Sequence, residues 1–167
     1  MNARDTIMAA TLAYALAIGA PTIATAQCVR DAFLAVSGPP PAGAQRRVVA
    51  LTEAQLMALP VATITTSTEW TPVSRFDGPL LNDVLELAGA RGKTLEIFAA
   101  DDYSISIPWS DLARYGVILA HSRDGERMTR RRFGPLFVVY PREKFPALQT
   151  PTMGARFIWQ VCRIDVE

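Results

Sequence analysis

The chain has 167 residues, enough for one domain and not comfortably for two. Half of it is hydrophobic and a fifth charged, and 17 Lys+Arg against 16 Asp+Glu leave a formal net charge of +1. That balance gives no global field for nucleic acid or an acidic membrane, and the composition excludes disorder, collagen and coiled coil. Two cysteines and one histidine are too few for a structural zinc site built from Cys and His alone.

Residues 1–26 read as an export signal. Arg4 supplies a weak basic start, and the apolar stretch from Ile7 to Ile18 is too short to span a bilayer comfortably. Gly19, Ala20 and Pro21 end helical structure there. Ala24-Thr25-Ala26 offers the small-x-small pattern of a signal peptidase site, with Gln27 as the new N-terminus. An uncleaved membrane anchor is the competing reading. Cleavage would remove only Arg4 and Asp5 among the charges, leave residues 27–167 as one periplasmic domain, and leave nothing to insert into the membrane.

Export changes how the cysteines read. Cys28 opens the mature chain and Cys162 nearly closes it, and neither has the neighbouring His or Cys of a redox centre. In an oxidising compartment they are expected to form a structural disulfide; two unpaired thiols are the alternative.

Along the mature chain, Val29 to Val36 is predicted as a first strand and Val48 to Leu51 as a second. Thr52 is placed to cap a short helix through Leu59, which Pro60 stops. Val61 to Thr68 is rich in Val, Ile and Thr and reads as a strand. A loop then carries Glu69-Trp70-Thr71-Pro72 on to Phe76-Asp77-Gly78-Pro79. Leu80, Leu81, Val84, Leu85 and Leu87 lie at helical spacing, with Gly89 ending the helix. Further on, Thr94 to Ala99 and Tyr103 to Ile107 read as a hairpin about an Asp101-Asp102 turn. Trp109 to Tyr115 is a helical turn, and Val117 to Ala120, Leu136 to Tyr140 and a long Phe157 to Val166 are strands. Asp124-Gly125 marks a tight turn. The sum is a single mixed α+β domain, rich in β and carrying short helices.

Several residue groups could carry chemistry. Trp70 sits in a polar loop beside Glu69, a stacking face with an adjacent carboxylate or simply a packed indole and a solvated acid. Asp102 and Tyr103 either make a turn or place a carboxylate and a phenol at a pocket mouth. Arg130-Arg131-Arg132 is the one charge run. Arg132 adjoins Gly134, whose missing Cβ would let a ligand approach the backbone closely. Trp109 and Trp159 read as core or rim. The single His121 follows a buried-looking strand and reads as structural.

The order of the pieces is more informative than any one. Glu69-Trp70, Phe76-x-Gly78-Pro79-Leu80, Ala100-Asp101-Asp102-Tyr103, Ile107-Pro108, Asp124-Gly125, Gly134-Pro135-Leu136, Val138-Val139-Tyr140-Pro141 and the closing Trp159, Ile164 and Val166 follow in series. From Val48 to Val166 the chain resembles the oxidoreductase molybdopterin-binding domain, the sulfite-oxidase fold, in a short exported form. The resemblance implies a Cys thiolate on molybdenum near the end of the strand before the Trp loop. Here that stretch is Thr63-Ile64-Thr65-Thr66-Ser67-Thr68-Glu69-Trp70, with Thr66 at the ligand position. A hydroxyl is a poor substitute for a thiolate. The basic residue that often precedes the closing Trp in members holding phosphorylated molybdopterin is replaced by Ile158.

What remains is similar to the small periplasmic pterin-binding proteins that regulate membrane-bound cyclic-di-GMP enzymes. On that resemblance the expectation is a non-catalytic module binding a pterin, without metal. Thr66, Glu69, Trp70, Asp102, Tyr103, Arg132 and Gly134 would form its site, and the periplasmic part of such a membrane enzyme would be its partner. Two readings compete: a molybdopterin-dependent oxidoreductase or subunit, and a ligand-free interaction module that keeps only the fold.

Overall fold

The computed structural model describes residue 28, residues 32–39 and residues 47–167. The expected leader, the Gln27 terminus and the beginning of the first predicted strand lie outside the described residues. Three sheets make up the fold. A five-stranded sheet runs in the order β2-β1-β11-β5-β6: β2 is Val48–Leu51, β1 Leu34–Ser37, β11 Val161–Val166, β5 Thr94–Ala99 and β6 Ser104–Pro108. A four-stranded sheet joins β3 (Val61–Thr66), β4 (Ser74–Pro79), β8 (Ser122–Arg123) and β9 (Glu126–Arg127), and β7 (Ile118–Ala120) pairs with β10 (Phe137–Val139). Among the described residues only β1 and β11 run parallel; every other pair of strands is antiparallel.

Burial follows the sequence periods. In β5, Leu95, Ile97 and Ala99 alternate into the core, as a strand with one wet face requires. All residues of β7 and β10 are buried, which explains their uninterrupted apolar runs. Four short helices cover the margins. The first, α1 (Glu53–Met57), starts where Thr52 accepts from the Gln55 amide while the Gln55 side chain accepts from the Thr52 amide, a reciprocal cap. The others are α2 (Leu81–Leu87), α3 (Ser110–Tyr115) and α4 (Pro151–Gly154). Helix α2 presents Leu81, Val84 and Leu85 to the core. No helix among the described residues is long and apolar enough to cross a membrane.

Two expectations need correcting. The stretch expected to loop as far as Pro79 contains β4, paired with β3 in unbroken register from Val61↔Pro79 to Thr66↔Ser74. Gly78 and Pro79 look like strand breakers, but they sit at the very end of β4, where a missing amide and a missing side chain are tolerated. The long final strand is also shorter than expected. Its first residues leave the sheet: the Val138 amide donates to the Ile158 carbonyl, and Phe137 bridges to Trp159. Gln160, at φ +56°, then turns the chain into β11.

The expected disulfide is present, Cys28 to Cys162, with the two Cα atoms 5.4 Å apart. Cys162 occupies a bulge between Val161 and Arg163, where the pairing with β5 shifts register. A bulge turns one side chain out of the regular alternation.

Candidate functional site

The loop joining β3 to β4 carries Trp70. Its bend is closed by Thr68, whose hydroxyl accepts from the amides of Trp70 (3.1 Å) and Thr71 (3.0 Å) and lies 2.9 Å from the Thr71 hydroxyl. A side chain that ties the loop to itself leaves the indole free to project, and Trp70 is 47% exposed. Its ring meets Phe137 at 6.5 Å and the edge of Trp159 at 6.3 Å, so it is braced from behind and open in front.

In front of it lies a cleft of about 380 Å³. Trp70, Tyr103 and Trp159 give it aromatic walls, Phe157 and Ile158 an apolar back, and Ala99 and Ala155 leave room. Asp101 is the one charged residue in its lining. Its carboxylate accepts from the Tyr103 amide at 3.3 Å, which fixes the turn between β5 and β6 next to the half-exposed Tyr103. Asp102 takes the left-handed turn position, φ +65°, and is absent from the lining. Of the expected pair Asp102 and Tyr103, only Tyr103 lines the cleft, and the carboxylate in its lining is that of Asp101.

Behind the Trp70 loop, Thr66 is fully buried. Its hydroxyl accepts from the Arg142 amide (3.0 Å) and donates to the Glu143 carboxylate, which also accepts from the Ser67 amide (2.7 Å). Burial pushes the Glu143 carboxyl upward, but the hydrogen bonds from Thr66 and Ser67 outweigh it and hold the group below the ordinary carboxylate value. Glu69 does not reach the cleft lining. It accepts from the Arg142 guanidinium at 2.8 Å and lies across Gly154, where an added Cβ would stand 2.9 Å from the carboxylate.

The remaining expected residues are elsewhere. Arg132 sits in a short 3-10 turn, pairs with Glu126 at 2.9 Å, and lines a separate polar cavity of about 260 Å³ with Arg123 and Arg127. The close approach at Gly134 is made by protein, not ligand: a Cβ there would fall 2.2 Å from the Met128 carbonyl oxygen. The structure therefore gathers Trp70 and Tyr103 in one cleft, sets Thr66 and Glu69 behind it, and leaves Asp102, Arg132 and Gly134 out of its lining.

His121 is buried, with Nδ1 2.8 Å from the Ser122 hydroxyl. Burial first and Arg127 second lower its pKa below 6.5, against Asp77 and Glu53. The unfolded chain then binds the proton more readily, so stability is expected to fall as the pH drops below about 6.5. Urea midpoints at pH 7 and 5 should differ less in His121→Gln than in the parent.

A braced indole, a phenol and a carboxylate thus line one apolar cleft in a small domain of mixed sheets. Residues 42–145 match the family described as the oxidoreductase molybdopterin binding domain, and the chain belongs to it. The fold is of the sulfite-oxidase molybdopterin-binding type. It matches the crystal structure of the sulfane dehydrogenase SoxCD from Paracoccus pantotrophus with a TM-score of 0.57 and 20% identity, over 80% of this chain. That overlap covers only 37% of the SoxCD chain, so this protein spans well under half its length. No curated protein matches the chain.

The donors can be tested against the molybdenum cofactor that the family binds. Both cysteines of the chain are joined to each other, and the Thr66 hydroxyl is engaged on both sides by Arg142 and Glu143. Among the described residues no three His, Cys, Asp or Glu side chains cluster for a metal. These donors do not fit thiolate ligation of molybdenum.

Proposed function

We propose that this domain binds a pterin without molybdenum, carries out no redox chemistry of its own, and reports the ligand to a membrane partner. The observation that supports it is the pairing of an open, braced Trp70 with Asp101 in one cleft; in addition Thr66, which the resemblance sets at the family's ligand position, has its hydroxyl engaged by Glu143. A pterin presents a flat face and a guanidine-like edge of N–H donors. An indole suits the first and a carboxylate the second.

The chain's own residues then divide the work. Trp70 and Tyr103 sandwich or flank the ring, Asp101 pairs with the donor edge, and Phe157 and Ile158 exclude water behind it. With residues 1–26 as a signal, the protein acts in the periplasm. A membrane-bound cyclic-di-GMP enzyme is the partner class implied by the resemblance, and signalling requires that ligand change the affinity for that partner.

The reading is tested by titrating neopterin and its 2-deamino analogue into wild type, Trp70→Ala and Asp101→Asn. Trp70→Ala is expected to weaken both ligands by roughly 1–3 kcal/mol, the scale of a lost aromatic anchor. Asp101→Asn is expected to reduce the preference for the 2-amino compound more than it reduces affinity for the analogue. Failure of the wild type to bind, or unchanged binding by a folded Trp70→Ala, would refute it. Stoichiometric molybdenum in the purified protein, with turnover, would instead establish the oxidoreductase that family membership offers as the second reading.

A further inference from the structure

We infer that Glu143, with Arg142 beside it, is a positioning residue that sets how Trp70 is presented to the cleft; this rests on the cleft being the ligand site. Neither residue lines that cleft. Both belong to a single 3-10 turn, Arg142–Lys144, that follows the buried strand β10. From that turn four hydrogen bonds reach one stretch of chain, Thr66 to Glu69. The Arg142 amide donates to Thr66, Thr66 donates to Glu143, the Ser67 amide donates to Glu143, and the Arg142 guanidinium donates to Glu69.

The two ends of the tetrapeptide are therefore pinned to neighbouring residues of a distant element, 73 to 77 positions away. Trp70 follows directly. Thr68 fixes the turn internally but not its orientation on the body of the domain, since its hydrogen bonds stay within the loop. Beside the ring contacts with Phe137 and Trp159, the polar tethers that fix orientation come from the Arg142–Glu143 turn. Glu143 is suited to the role because its two oxygens accept from two donors at once, whereas Gln has a single acceptor oxygen and an amide nitrogen that cannot accept. On its far side the same turn borders a separate polar cavity, lined by Ser67, Arg142, Glu143 and Gln149. The ion pair of Glu69 with Arg142 thus serves loop geometry, and Glu69 is not the carboxylate that recognises ligand.

The test uses the full mature protein labelled with 5-fluorotryptophan, whose three indoles give three fluorine resonances, with Trp70→Phe assigning one of them. In the ligand-free protein, Glu143→Ala is expected to move and broaden the Trp70 resonance while the Trp109 resonance, assigned by Trp109→Phe and not in ring contact with Trp70, stays in place and reports an intact fold. Thr66→Val, close in shape but without the hydroxyl, should do the same, and Thr66→Ser should restore the wild-type signal. Neopterin affinity should fall at least tenfold in Glu143→Ala and Thr66→Val and by less than twofold in Thr66→Ser. An unmoved Trp70 resonance in folded Glu143→Ala or Thr66→Val would overturn the inference. A wild type that binds no neopterin would overturn the proposed function instead, and the ligand-free spectra would still decide the positioning role.

Discussion

Reducing the Cys28–Cys162 disulfide is expected to lower the folding free energy by about 4 kcal/mol. The cysteines are 134 positions apart, so the bridge closes most of the described chain into one loop and removes much of the freedom of the unfolded state. Cys162 sits in β11, which pairs with β1 on one side and β5 on the other, so the tether holds Cys28 to the middle strand of the five-stranded sheet. Urea unfolding of the oxidised protein and of the Cys28→Ser/Cys162→Ser double variant provides the measurement. A midpoint shift worth less than about 1 kcal/mol would show that the unfolded state is already compact. Neither cysteine lines the cleft, so ligand affinity should change far less than stability.

Asp111→Ala is expected to cost about 3 kcal/mol, the next largest effect. Asp111 is only 5% exposed, and its carboxylate accepts from the Tyr140 hydroxyl at 3.1 Å and from the Arg156 guanidinium. Removing it strands a phenol on a fully buried residue and unpairs a cation whose side chain is 22% exposed. The partial exposure of Arg156 keeps the loss below the upper end for buried pairs. Burial, and then Asp111, raise the Tyr140 phenol far above its ordinary value, so it stays a donor throughout the usable pH range. Tyr140→Phe should cost nearer 1 kcal/mol, because a charged pair survives. Because Arg156 lies between Ala155 and Phe157, both in the cleft lining, Asp111→Ala should also loosen ligand binding. Equal stabilities of Asp111→Ala and Tyr140→Phe would show that the ion pair contributes nothing.

Elements with strong local codes were legible in the sequence. The Thr52 cap, the Leu-rich α2, the Asp124-Gly125 turn and the β5–β6 hairpin each depend on neighbours a few residues apart, and each forms near its predicted place. What was not legible depends on distant partners. β4 ends in residues that locally favour a turn, and only its pairing with β3 makes it a strand. The Phe157–Gln160 stretch is apolar enough for a strand, but β10 captures it through Val138 and Phe137. The site divides the same way. Trp70 and Tyr103 could be picked out as aromatics in polar surroundings. Choosing between Asp101 and Asp102 needed the turn's backbone angles, and Glu143 needed a contact 77 residues away. The one local hint was a charged Arg142-Glu143 pair directly after a buried strand. Arg132 and Gly134 drew notice for features that the protein uses internally, an ion pair and a tight backbone crossing.

The cleft takes its walls from two different sheets. Trp70 hangs from the β3–β4 hairpin of one, Asp101 and Tyr103 from the β5–β6 hairpin of the other, and Trp159 from the segment between β10 and β11. A ligand held by all of them would bridge two hairpins that belong to different sheets. If it bound only the closed cleft, a hundredfold excess over its dissociation constant would add about 2.7 kcal/mol against local opening. Such a ligand is expected to slow amide exchange in both hairpins at once, although they are far apart in sequence.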